Sequence, residues 1–108
     1  MPTPTEIFAE IDSRLQTNSA KTAGLNAVYA FDLSGDNGGP HHIAIHDGTG
    51  RAGAGPAENP GCTIAMSGTD FVDLATGKLD ATSAFMSGRL KIKGDMGLAM
   101  KLQNILRD

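Results

Sequence analysis

Four short stretches of this chain change character at every residue, and that two-residue period restricts the fold more than any other feature. Tyr29, Phe31 and Leu33 alternate with Ala30 and Asp32, and Ile43 and Ile45 alternate with His42, Ala44 and His46. Cys62, Ile64 and Met66 alternate with Thr63 and Ala65, and Leu90 and Ile92 alternate with Arg89, Lys91 and Lys93. Side chains on a strand point to opposite faces in turn, so each stretch predicts a strand with one apolar face and one polar face. Asp36-Asn37-Gly38-Gly39-Pro40 joins the first two as a hairpin. The glycine-rich segment Arg51 to Pro56 is expected to form a short, poorly packed edge strand.

Between and around these strands the period becomes helical. Thr3, Pro4 and Glu6 combine a capping hydroxyl, a first-turn proline and a glutamate three residues after the cap, and they open a helix with Ile7, Phe8, Ile11 and Leu15 on one face. That helix is expected to fade between Asn18 and Gly24, because Thr17, Asn18, Ser19 and Thr22 are weak helix formers. From Ser67 a second helix carries Phe71, Leu74 and Ala75 and ends at Gly77. A third starts at Asp80, carries Phe85 and Met86, and stops at Gly88. Gly94 breaks the last strand, and Asp95 caps a final helix. The fold class expected is α+β: one five-stranded, mainly antiparallel sheet covered on one face by helices. The 108 residues show no repeat or linker, so a single domain spanning 1–108 is expected.

The final helix has an apolar surplus. At about 100° per residue, its leucines, Ile105, Ala99, Met96 and Met100 sweep roughly 220°, where a helix on a core needs about 100°. Lining a cavity, meeting a partner, touching a membrane and deep burial all account for such a face.

Composition excludes several classes of function. Net charge is −3, yet Lys78, Arg89, Lys91, Lys93, Lys101 and Arg107 face only Asp80, Asp95 and Asp108 in the last third. That distribution suits an anionic ligand or membrane surface and not a nucleic acid. The single Cys62 excludes a disulfide framework and multi-cysteine metal sites. No apolar run is long enough to span a membrane, and "MPTPTEIFAE" lacks the pattern of a signal peptide, so a cytoplasmic location is expected.

No set of residues proposes a catalytic centre. Gly48-Thr49-Gly50-Arg51-Ala52-Gly53 matches G-x-G-x-x-G, but Ala54-Gly55-Pro56 follows where a phosphate-binding helix is needed. His41 and His42 point to opposite faces, and His42 and His46 lie about 13 Å apart along a strand, too far to share a metal ion. The three histidines are expected to face solvent. Cys62 is expected to be a small buried core residue, and Asp70 to belong to a first helical turn. Arg89, Lys91 and Lys93 form a solvated edge or a surface that attracts anions.

The run from Phe85 to Gln103, "FMSGRLKIKGDMGLAMKLQ", resembles the closing signature of the sterol carrier protein domain, the type-two non-specific lipid-transfer family. Cys62 to Met66, the Asp70-Phe71 helix start and Thr76-Gly77-Lys78-Leu79 are similar to its pattern in the same order. The resemblance implies an apolar tunnel between sheet and helices. It implies binding, and transfer, of long-chain lipids (fatty acid, fatty acyl-CoA, phospholipid or sterol) without catalysis, cofactor or metal. By the matched motif, Phe85, Met86, Leu98, Met100, Leu102, Gln103 and Ile105 line the tunnel or its mouth, with Gln103 placed for a head group. Alternation adds Tyr29, Phe31, Ile43, Ile45, Ile64 and Met66 from the sheet, and Phe71 and Leu74 join them from the second helix.

The expected partners are a lipid and, transiently, an anionic membrane, with the chain a monomer or weak homodimer. The chain ends without a Ser-Lys-Leu type tripeptide, so peroxisomal import by that route is not expected. Two rivals stay open: a protein-interaction or dimerisation module using the last helix, and a hydrolase or accessory domain of lipid metabolism.

Overall fold

The computed structural model describes residues 3–17, 26–35 and 38–106, with side chains as far as Leu102. The expected helix end at 18–24, the turn residues Asp36 and Asn37, and the side chains of Gln103 and Ile105 therefore lie outside the described residues.

Helix α1 (Pro4–Thr17) starts with reciprocal capping. Glu6 N–H donates to Thr3 Oγ1 at 3.2 Å, and Thr3 N–H donates to Glu6 Oε1 at 3.3 Å. The strands follow as β1 (Ala27–Ser34), β2 (Gly39–His46), β3 (Thr49–Ala54) and β4 (Cys62–Ser67). Helices α2 (Gly68–Ala75) and α3 (Ala81–Met86), strand β5 (Lys91–Gly94) and helix α4 (Met96–Leu106) complete the order. The sheet runs β3-β2-β1-β4-β5, antiparallel except between β1 and β4. The fold is therefore α+β with a mostly antiparallel five-stranded sheet. Placing β4 beside β1 rather than β3 puts Tyr29, Phe31 and Leu33 at the middle of the sheet, where they are fully buried.

The alternation holds on every interior strand. Tyr29, Phe31, Ile43, Ile45, Cys62, Ile64 and Met66 face the core, and Asp32 and His46 face solvent. Over β1 and β2 that core is closed by rings. Phe8 of α1 stacks on Phe71 of α2 at 4.8 Å and meets Phe31 edge-on at 5.1 Å. Aromatic pairs of this geometry are worth about 0.5–1.5 kcal/mol beyond the area they bury.

One histidine departs from expectation. His41 sits on the core face, only 3% exposed, stacked on Phe8 at 4.6 Å. Its Nδ1 lies 3.1 Å from the Gly39 carbonyl, which can only accept, so Nδ1 carries the proton and Nε2 accepts from the Thr5 hydroxyl at 3.1 Å. With both ring nitrogens satisfied, burying the ring costs little. His42 is partly buried and His46 is exposed.

The glycine-rich strand also differs from expectation. All six residues of β3 pair with β2, and α1 lies directly over it. A side chain at Gly50 would press on Leu15 at 3.1 Å, so the missing Cβ is what lets the helix approach. Asp12 on α1 accepts hydrogen bonds from Arg51 Nε at 2.9 Å and Ala52 N–H at 2.8 Å, tying the helix to this edge. Strand β3 is thus an edge strand, but a packed one. Gly48 to Gly53 run through the β2–β3 turn and into β3 with no helix following, as the absence of a helix start implied.

At the other edge β5 starts at Lys91 and not at Arg89. The Arg89 and Leu90 N–H groups donate to the Ala84 carbonyl at 2.9 and 3.1 Å and complete the end of α3. Gly94 closes β5 with φ +106°, and a Cβ there would collide with the Gly61 carbonyl oxygen.

Gly94→Ala therefore meets both a strained backbone and a backbone clash, and a loss of about 2–3 kcal/mol is expected in urea unfolding. Gly88→Ala, also at positive φ but in open space, should lose about 1 kcal/mol. Burial raises the Asp12 carboxyl pKa, but hydrogen bonds from Arg51 and Ala52 and the Arg51 charge outweigh it, leaving the group below its ordinary 3.8. A pKa depressed on folding stabilises above the unfolded value and loses that contribution as pH falls through the folded value. Asp12→Asn should accordingly cost about 1 kcal/mol at neutral pH, with the gap to the parent closing below about pH 4.

Candidate functional site

Helices α1 and α4 cover different parts of the sheet. The first lies over β3 and β2, and the last packs on β4 and β5. Between them a gap stays open over β4 and β5, and it holds a cavity of about 740 Å³.

Ile64 and Ile92, paired across β4 and β5, form the floor. Leu74 and Ala75 of α2, Thr76, Gly77, Leu79 and Asp80 of the α2–α3 connection, and Ala81, Thr82 and Phe85 of α3 form the roof, with Leu90 beside them. One wall is α4, through Met96, Ala99, Met100 and Leu102. The opposite wall is α1, through Glu6, Ile7, Glu10 and Arg14. Three walls are therefore mainly apolar and one is charged.

Local chemistry sets each wall. Ser67 Oγ accepts from Asp70 N–H at 3.0 Å and starts α2, and Asp80 Oδ2 accepts from Ser83 N–H at 3.0 Å and starts α3. Asp95 Oδ1 accepts from Gly97 N–H at 2.8 Å and starts α4. Tyr29 reaches across from β1 and donates its hydroxyl to the Leu98 carbonyl at 2.7 Å, anchoring α4 from beneath. Burial, then nearby Cys62 and Asp95, push the Tyr29 pKa up to about 12, so this donor stays protonated.

The apolar surplus of α4 resolves into two faces. Leu98 and Leu102 pack toward the core, while Met96, Ala99 and Met100 face the cavity and its rim. Phe85, Met86, Met96 and Met100 remain 46%, 80%, 48% and 76% exposed, forming an apolar border where the cavity meets solvent.

Of the residues expected at a ligand site, Ile64, Leu74, Phe85, Met100 and Leu102 line this cavity together. Tyr29, Phe31, Ile43, Ile45, Met66 and Phe71 are buried in the core away from its lining. Met86 stands outside on the border, and Leu98 packs over Gly61. The side chains of Gln103 and Ile105 are outside the described residues.

Sequence reasoning did not single out Ile7, Glu10, Arg14, Leu79, Leu90, Ile92, Met96 and Ala99 as lining. The available signal for α1 was its position: Glu6, Glu10 and Arg14 recur every four residues, so they form one stripe beside the buried face.

Among the described residues no group of three or more His, Cys, Asp or Glu side chains is placed to hold a metal ion. No described helix is long and apolar enough to cross a membrane. Cys62 is 1% exposed, and burial, followed by the charge of Asp95, pushes its thiol pKa up. A thiol reagent should therefore label the native protein at the rate of unfolding, and labelling should accelerate in step with loss of circular dichroism as urea is added.

Three comparisons bear on this geometry. The model of the SCP-2 sterol transfer family matches residues 8–107. Hydroxysteroid dehydrogenase-like protein 2 from Xenopus tropicalis is 42% identical over 102 residues, which are 94% of this chain and 24% of the relative, so the chain spans about a quarter of that protein. The solution structure of sterol carrier protein domain 2 from Helicoverpa armigera superposes with a TM-score of 0.76 at 30% identity, covering 96% of this chain and 86% of the other. Sterol carrier protein 2 from Aedes aegypti, solved in complex with the C16 fatty acid palmitate, shares the fold with a TM-score of 0.72 at 18% identity, covering 98% and 96% of the two chains.

Proposed function

The chain belongs to the SCP-2 sterol transfer family, and from that premise we propose that it binds a long-chain lipid, with the tail in the cavity between α1 and α4. The observation that carries this reading is the cavity itself, about 740 Å³ with its floor, roof and α4 wall supplied mainly by Ile64, Ile92, Leu74, Phe85, Met100 and Leu102. Sites of roughly 300–1,000 Å³ suit ligands of this size. Burying a tail of about ten methylenes supplies roughly 8 kcal/mol before the cost of ordering it. Such attraction is non-directional, so fatty acyl, phospholipid and sterol tails are all accepted to some degree. The Aedes aegypti relative solved with palmitate supports an acyl tail as one occupant.

The protein in this reading carries its lipid without converting it. Cys62, the one thiol, is buried, and the histidine nearest the core, His41, is committed to Gly39 and Thr5. The apolar border of Phe85, Met86, Met96 and Met100 lets the cavity open against a membrane. The exposed Lys91 and Lys93 of β5 and Lys101 of α4 add positive charge that draws the protein toward anionic lipid. The same border favours a second reading, docking on a partner or a second copy, which predicts a mass that rises with concentration and an unfilled cavity.

Native purification followed by solvent extraction and mass spectrometry should recover lipid, and a lipid with a fluorescent tail should be displaced by unlabelled lipid. Ala99→Trp fills the cavity from α4 and should weaken binding by about tenfold or more, with a thermal midpoint measured alongside to show that the fold persists. Repeated extraction without lipid, together with no probe binding, would contradict the reading.

A further inference from the structure

The charged wall of the cavity says which head group its occupant carries, an inference that rests on the lipid-binding reading above. Among the described residues, Glu6 and Glu10 on the α1 wall and Asp80 in the roof place three carboxylates on the lining, against the guanidinium of Arg14. Two of the carboxylates already have structural tasks: Glu6 caps α1 and Asp80 caps α3. Glu10 has no such task among the described residues and is exposed at the middle of the α1 stripe. Across the cavity, Thr76 spends its hydroxyl proton on the Val72 carbonyl at 2.8 Å, so it too offers an acceptor. The basic side chains Lys91, Lys93 and Lys101 stand off the lining altogether.

The polar groups described on the lining are thus rich in acceptors and net negative. A free carboxylate placed there meets like charge, whereas a hydroxyl or amine finds partners for its protons. We propose that this cavity selects lipids whose head group donates hydrogen bonds, an alcohol or an amine, over carboxylates of the same chain length, and that Glu10 is the determinant.

The test is displacement of an uncharged fluorescent lipid by the alcohol, amine and acid that share palmitate's sixteen carbons, each below its micelle concentration at neutral pH. The parent protein should prefer alcohol and amine to acid by roughly tenfold, narrowing as salt is raised. Glu10→Gln should shrink the preference roughly threefold, chiefly by improving acid binding, and Glu10→Lys should bring acid level with alcohol or ahead of it. Glu10 is exposed on its helix, so both variants should keep the parental melting temperature. Equal or tighter binding of the acid to the parent, or an order indifferent to both Glu10 variants, would overturn the proposal. Failure of all three lipids to bind would instead sink the lipid-binding reading, and this proposal with it.

Discussion

Phe8 is the side chain on which the arrangement turns. It is fully buried, and it touches Phe71, Phe31 and His41 at ring separations of 4.6 to 5.1 Å. That contact locks α1 and α2 together over the centre of the sheet and fills the space around Phe31 and His41. The space that remains is displaced sideways, to the flank over β4 and β5, where α3 and α4 border it without closing it. A protein interior packs to near-crystal density, so a void of about 740 Å³ persists only because it is open to solvent at its border and walled by helices held elsewhere. The solid half of the molecule thus makes the hollow half possible.

Period and capping made most of the architecture legible. The two-residue alternation on β1, β2 and β4 states which face each side chain occupies, and Thr3, Ser67, Asp80 and Asp95 each start a helix by accepting backbone N–H bonds. What alternation cannot state is which helix lies over which strand. Phe31, Ile43 and Ile45 point inward as their period requires, yet α1 and its Phe8 already fill the space above them, and Tyr29 is taken up by the Leu98 carbonyl of α4. Only Ile64 and Ile92 lie under the gap. The charged wall escaped for a related reason: Glu6, Glu10 and Arg14 are what any solvent-facing stripe looks like until a second helix is set opposite.

Two smaller departures share one physical cause, which is that a polar or absent side chain is judged by its partners. His41 was expected in solvent once a shared metal ion was set aside, but it is buried because Gly39 and Thr5 satisfy both its nitrogens. Strand β3 was expected to pack poorly because its residues are small, but smallness at Gly50 admits Leu15 and brings Asp12 within reach of Arg51 and Ala52. Both compensations join residues far apart in sequence, so neither has a local signature.

The central claim is that a lipid tail occupies the flank cavity and not the space under α1. Methyl-resolved NMR of the isoleucines with palmitate or its alcohol added reads this directly. The account predicts shifts and contacts with the tail at Ile64 and Ile92, with Ile43 and Ile45 unmoved beneath α1. Contacts confined to Ile43 and Ile45, with Ile64 and Ile92 silent, would contradict it.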